Sequence, residues 1–149
     1  MQLSTLLTLS TTLLTSALAS PLSTRQTGQQ FSITTFTAGC IPHGTLCTIN
    51  FDLSTPNLSN PTTCSFSGQP LGSSSLPDTP FAACSDPSVA WSFRRVTPNE
   101  FGQAPFYELA VVTGTAAAAK FLAGSEFPLL NAGSSFYQSY TGPSAFVLQ

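Results

Sequence analysis

Apolar and polar residues alternate with a period of two along much of this chain, and a helical period is almost absent. The cleanest stretch is 46–53. Cys47, Ile49, Phe51 and Leu53 fall on one side, and Thr48, Asn50 and Asp52 on the other. Successive strand side chains point to opposite faces, so this pattern predicts a half-buried strand. Residues 31–37 begin the same way with Phe31 and Ile33; Phe36 then falls out of phase, which predicts a β-bulge. Cys64 and Phe66 share a face in 62–67, and Val89, Trp91, Phe93 and Arg95 share one in 89–96. Residues 106–113 are apolar on both faces except at Glu108, the pattern of a central strand. The segments SEFPLL, SFYQSY and SAFVL supply shorter strands near the end.

Proline and glycine punctuate what lies between. Residues 54–62 and 68–80 hold five prolines between them and read as loops. The run 113–120, Thr-Gly-Thr-Ala-Ala-Ala-Ala-Lys, favours a helical turn by its alanines but is too short for a stable helix. It reads as a loop or one turn between strands. Seven or more short strands at regular spacing, with no repeat and no linker, predict one all-β domain over 31–149. Its architecture is an antiparallel β-sandwich or β-barrel, disulfide-stapled.

The first nineteen residues break the alternation. Leu3 to Leu18 is an apolar run ending in the small-x-small triplet Ala17-Leu18-Ala19, the pattern of a secretory signal peptide over 1–19, although its start carries no Lys or Arg. Residues 20–30 form a short leader without apolar periodicity, in which Arg25 offers a processing site; a plain disordered N-terminus is the alternative. No later apolar stretch reaches the ~18 residues of a membrane span. The expectation is a secreted, extracellular protein.

An oxidising compartment changes the reading of the cysteines, which become disulfides before thiols or metal ligands. They stand at Cys40, Cys47, Cys64 and Cys84. With no Cys-x2-Cys pair and His43 as the sole histidine, zinc is not expected, and no metal or cofactor is implied. The favoured pairing is Cys40–Cys47, closing a tight loop, with Cys64–Cys84, tying off the proline-rich loop before the Trp91 strand. The rival Cys47–Cys64 stays open, because both residues lie in phase with core positions.

Charge is scarce. Four Lys and Arg and six Asp and Glu make 7% of the chain, against about a quarter in ordinary domains. A net charge of −2 offers no basic patch for nucleic acid or an anionic membrane. Asn57-Leu58-Ser59 is an N-glycosylation sequon, with Asn57 the acceptor.

Few residues offer chemistry. His43 sits in the constrained turn Cys40-Ile41-Pro42-His43-Gly44, and no Gly-x-Ser-x-Gly elbow accompanies it. A minor hydrolase using His43 is one alternative, but a turn residue bonded to backbone is preferred. Glu108 is the best lone carboxylate, and it is expected to face solvent or to pair with Arg94 or Arg95 on a neighbouring strand. Trp91 alternates with Val89 and Phe93 as a core residue does, so a sugar platform there is the lesser reading. Tyr107, Tyr137 and Tyr140 are the better surface candidates for binding, because a phenol can cover a ligand while its hydroxyl stays wet.

Short segments resemble a family. They are Phe36-Thr37-Ala38-Gly39-Cys40-Ile41-Pro42-His43, then Cys47-Thr48-Ile49-Asn50-Phe51, the pair Cys64 and Cys84, Trp91-Ser92-Phe93, and Tyr140-Thr141-Gly142-Pro143-Ser144-Ala145-Phe146. Over about 31–149 the chain resembles the AA1-like small secreted fungal proteins, which are similar to the major Alternaria allergen. The resemblance implies a compact, disulfide-stapled β-barrel or sandwich without enzymatic activity. It also implies effector-like or allergen-like binding to a plant extracellular defence protein. The allergen's dimerising cysteine near the mature N-terminus has no counterpart before Cys40, so a monomer is expected. The alternatives are a cell-wall component or a small molecule bound in a barrel cavity.

Overall fold

The alternating stretch at 46–53 forms strand β2 (Cys47–Ser54), and Cys47, Ile49, Phe51 and Leu53 are all buried. The structure is a computed structural model; it describes residues 30–72, 74–97, 105–114 and 116–149. The expected signal peptide, and the leader up to residue 29 with Arg25, lie outside the described residues.

Among the described residues ten strands follow in chain order: β1 (Phe31–Cys40), β2, β3 (Thr62–Gly68), β4 (Thr79–Ala83), β5 (Val89–Val96), β6 (Phe106–Thr113), β7 (Ala116–Ala123), β8 (Leu129–Asn131), β9 (Phe136–Gln138) and β10 (Phe146–Leu148). One 3-10 turn, Gly124–Glu126, joins β7 to β8. The first sheet has the order β10-β1-β2-β3, the second β4-β5-β6-β7, and β8 pairs with β9 in a small hairpin. All pairings are antiparallel. The fold is sandwich-like rather than a closed barrel, because the two sheets meet at both edges without a continuous ladder. At one edge Ser85 N donates to Thr63 O at 2.8 Å, and the Cys64–Cys84 disulfide crosses. At the other, Ala119 N donates to Gln149 O at 3.4 Å.

The bulge anticipated at Phe36 is present. The β1–β2 register shifts between Thr34 and Thr37, and Thr35 takes a left-handed φ of 55°. The shift turns Phe36 into the core, where it meets Phe51 with ring centroids 6.1 Å apart. It also changes the partner along β1's outer edge. Before the bulge β1 pairs with β10; after it, Phe36 N donates to Ser144 O and Ala38 O accepts from Tyr140 N.

Two segments depart from expectation. Residues 116–120 are strand rather than loop or helical turn: Ala116–Ala123 is edge strand β7, paired with β6 over its whole length, and of the run before it Thr113 ends β6 and Gly114 is a turn. Alanine's helix preference amounts to fractions of a kcal/mol per residue, and a full ladder that buries Ala118 and Leu122 outweighs it. Lys120, directly opposite buried Leu109, reaches over the Phe146 ring at 5.7 Å. An inward charge of this kind protects an edge from further pairing. The loop read over 68–80 ends sooner than expected, because Thr79 and Pro80 already belong to β4. Proline is tolerated there since β4 is an edge strand and is bulged between Thr79 and Ala82.

Both favoured disulfides form, Cys40–Cys47 and Cys64–Cys84. The first links residues directly opposite each other on β1 and β2. Two disulfides are consistent with an extracellular chain. Among the described residues no helix is long and apolar enough to cross a membrane.

Candidate functional site

The candidate chemistry disperses over the fold. His43 is exposed at the tip of the β1–β2 hairpin with a φ of 55°, and its Nε2–H donates to Ala132 O at 2.8 Å. The ring therefore ties one hairpin to the next, as a turn histidine bonded to backbone does. Glu108 pairs with Arg94, its direct neighbour across β5 and β6, on the outward face of the second sheet. Among the described residues no three His, Cys, Asp or Glu side chains converge as a metal site would require. Asn57 is exposed in the β2–β3 loop, its backbone N–H donating to Thr55 Oγ1 at 3.2 Å, and it borders a polar cleft of about 520 Å³ with Ser59, Asp86 and Ser88. The Ser88 hydroxyl and backbone N–H hold the Asp86 carboxyl below its usual range.

The three tyrosines divide. Tyr107 is not at the surface; it is 1% exposed and stacks on Phe93 at 5.2 Å. It falls at an inward position of β6, beside Leu109 and Val111 in phase, and the apolar pattern on both faces of that strand concealed which way it points. Its hydroxyl is satisfied internally, accepting from Gln138 Nε2 at 2.6 Å. Tyr137 is half-buried on β9 opposite Leu130. Tyr140 is half-buried as well, edge-on to Phe36 at 4.8 Å, and donates its hydroxyl to Pro143 O at 3.1 Å. Burial, and then the Glu126 carboxylate, push its pKa up to about 12.

Gln138 is the residue that sequence reading missed. It is 7% exposed, and its amide makes three hydrogen bonds. Oε1 accepts from Leu76 N at 2.9 Å, and Nε2 donates to the Tyr107 hydroxyl and to Phe127 O at 3.0 Å. One side chain thus fixes the 68–78 loop, β6 and the 3-10 turn at one end of the sandwich. Gln138→Leu strands several buried groups at once and should lower stability by about 2–3 kcal/mol, read as a reduced denaturant midpoint with an unchanged slope. Tyr107→Phe, which removes one partner, should cost less.

The end that Gln138 holds together carries the most distinctive surface. Ile41 and Leu46 flank His43 in the hairpin, Leu71 sits in the 68–78 loop, and Leu129 and Phe136 stand on β8 and β9. These five side chains are 40–57% exposed. Their loops are cross-tied by His43 Nε2 to Ala132 O, by Gln138 N to Ser74 O at 2.9 Å, and by the Gln138 amide. The Cys40–Cys47 bond braces the hairpin at its base. Beside them runs a groove of about 540 Å³ between the second half of β1 and residues 139–144, with Ile41 and Pro42 at one end and Tyr140 and Gly142 further along. Gly142 lets the chain pass against Tyr140, since an added Cβ would lie 2.5 Å from the phenol oxygen. The sequence signal for this end was modest: two apolar residues inside a short disulfide loop, and apolar pairs on either side of the turn 131–135.

No family model, curated protein or solved structure matches this chain.

The elevated Tyr140 pKa has a pH consequence. The folded state holds this proton more tightly than the unfolded chain, whose tyrosine titrates near 10. The contribution is present below pH 10 and is lost as pH rises towards 12. A rapid alkaline titration of phenolate absorbance should show a late component that Tyr140→Phe removes.

Proposed function

We propose that this chain is a secreted, non-enzymatic binding protein, effector-like or allergen-like, that contacts a plant extracellular defence protein through the loop end of its sandwich. The observation that carries the reading is the set of five exposed apolar side chains on three cross-tied loops. Scattered apolar residues are ordinary on a surface; several held together at one end are characteristic of interaction sites. Loops already fixed by hydrogen bonds and a disulfide lose little entropy on binding, which raises affinity without further contacts. Tyr140 lines the groove beside this end, and Tyr137 stands on β9 next to Phe136.

The alternatives draw less support. A barrel-mouth ligand site calls for an open interior, and the space between the sheets is occupied by Phe36, Phe51, Trp91 and Phe93. The hydrolase reading needs a nucleophile hydrogen-bonded to the histidine, and among the described residues the partner of His43 is a backbone carbonyl, Ala132 O.

The test is capture from plant apoplastic fluid and from fungal wall extract, with wild type beside the double variant Leu129→Ser/Phe136→Ser. Both substitutions sit at exposed positions, so the variant should melt close to wild type. Loss of the captured apoplastic protein by the folded variant supports the reading. Equal capture by both, or capture of wall polysaccharide alone, overturns it.

A further inference from the structure

The two sheets differ in what they show to solvent. The outer face of the first sheet is written in hydroxyls and amides: Thr37, Asn50 and Ser65 form one row across it, and Thr34, Asp52 and Thr63 another. Thr63 and Thr35 donate to the Asp52 carboxylate there, each at 2.7 Å, and hold it below its usual pKa. This is the polar exterior expected of an antiparallel sheet that covers a core with its other face.

The second sheet does not follow that rule. Its outward rows read Ala83–Ala90–Val112–Ala117, then Ser92–Ala110–Ala119, then Arg94–Glu108–Phe121. Phe81, in the β4 bulge, is 63% exposed at one edge, and Phe121 is 64% exposed on β7 at the other. Most of these side chains are small and apolar, so few of them stand out from the face. The only charges in these rows are Arg94 and Glu108, of opposite sign and directly paired across β5 and β6.

We propose that this face is a self-association surface, and that two copies stack their second sheets about a two-fold axis running along the strands above the line between β5 and β6. That symmetry follows from the arrangement of the rows. The rotation lays β5 of one copy over β6 of the other at the same height along the strands. Arg94 then faces the second copy's Glu108 at both of the equivalent contacts, so that two intrachain pairs join into a four-charge cluster of alternating sign. Ala90 meets Val112, and Ser92 meets Ala110. The same rotation carries the β4 edge over β7, which covers each Phe81 with the Ala119–Phe121 side of the other copy. The face is thus complementary to itself in charge and in shape.

The area is adequate for a weak, specific dimer. Four strands at ~4.8 Å and eight residues at ~3.4 Å give a face of roughly 500 Å². Two such faces bury about 1,000 Å², which reaches the lower bound for a specific interface. The association is therefore expected in the micromolar range. It needs no intermolecular disulfide, and it departs from the monomer expected from the lack of a cysteine before Cys40. It uses a different surface from the loop end, so either proposal can fail alone.

Sedimentation equilibrium of the disulfide-intact secreted chain tests it. The average mass should rise from monomer to dimer across micromolar concentrations. Ala110→Arg, at the centre of the outward face and clear of the core, should hold the chain at monomer mass with an unchanged melting temperature. Thr37→Arg, on the outer face of the other sheet, should leave association intact. The double exchange Arg94→Glu/Glu108→Arg preserves alternation of sign and should still associate, whereas Arg94→Glu alone should weaken association at least tenfold. A wild-type chain that stays monomeric throughout overturns the proposal. So does association that survives Ala110→Arg, since the contact would then lie elsewhere.

Discussion

Trp91→Ala should cost about 3–5 kcal/mol, the range for emptying a large aromatic site in a core. Trp91 is 0% exposed and projects from β5 into the space between the sheets, where its ring stands edge-on to Phe51 of the opposite sheet at 5.0 Å. The backbone of two packed sheets cannot collapse far into the hole. Domains of this size are stable by roughly 5–15 kcal/mol in all, so the loss is a large share. It should appear as a fall in melting temperature on the order of 10–20 °C. Trp91→Phe should cost much less, because among the described residues the indole Nε1–H has no hydrogen-bond acceptor to lose. An alanine variant that melts like wild type but no longer binds wall polysaccharide would return Trp91 to the role of a sugar platform.

Breaking the Cys64–Cys84 bond should cost about 3 kcal/mol by loop-closure entropy for a separation of 20 residues. The bond joins β3 to the residue just after β4, at an edge where the sheets otherwise share few contacts. The double variant Cys64→Ala/Cys84→Ala should therefore open that edge first. Limited proteolysis should cut within 65–83 in the variant and spare it in the native chain. Peptide mapping of the native chain should recover Cys40 joined to Cys47, and Cys64 joined to Cys84. A fragment linking Cys47 to Cys64 would contradict the structure.

How much of this was legible depended on whether the deciding interaction was local. β2 could be read directly because one of its faces is buried and the other wet, and Phe36 announced its bulge by falling out of phase. β7 was hidden, since four alanines carry a helical preference and a strand only through their pairing with β6. β4 was hidden by Pro80, which is acceptable only because the strand lies at an edge. The apolar pattern of 106–113 placed β6 correctly in the middle of its sheet, yet it also implied cover on both faces, and its outward residues Ala110 and Val112 are only partly buried. The same two-faced pattern gives no sign that Tyr107 points inward. The Gln138 network was beyond reach, because a glutamine near the end of the chain gives no sign that it will meet Leu76, Tyr107 and Phe127.

Three of the candidate binding and catalytic residues can now be sorted by what they touch. His43 joins two hairpins, Tyr107 belongs to the core, and Tyr140 lines the groove beside the apolar loop end. Action by contact makes a different demand on each than catalysis would. The most direct measurement compares His43→Ala with Leu129→Ser/Phe136→Ser in one assay of defence elicitation or partner binding, with circular dichroism on each variant to establish that it is folded. The predicted result is that His43→Ala stays within a few-fold of wild type while the loop-end variant loses activity. A folded His43→Ala that is inactive, beside a loop-end variant that remains active, would contradict the account and return the histidine to a chemical role.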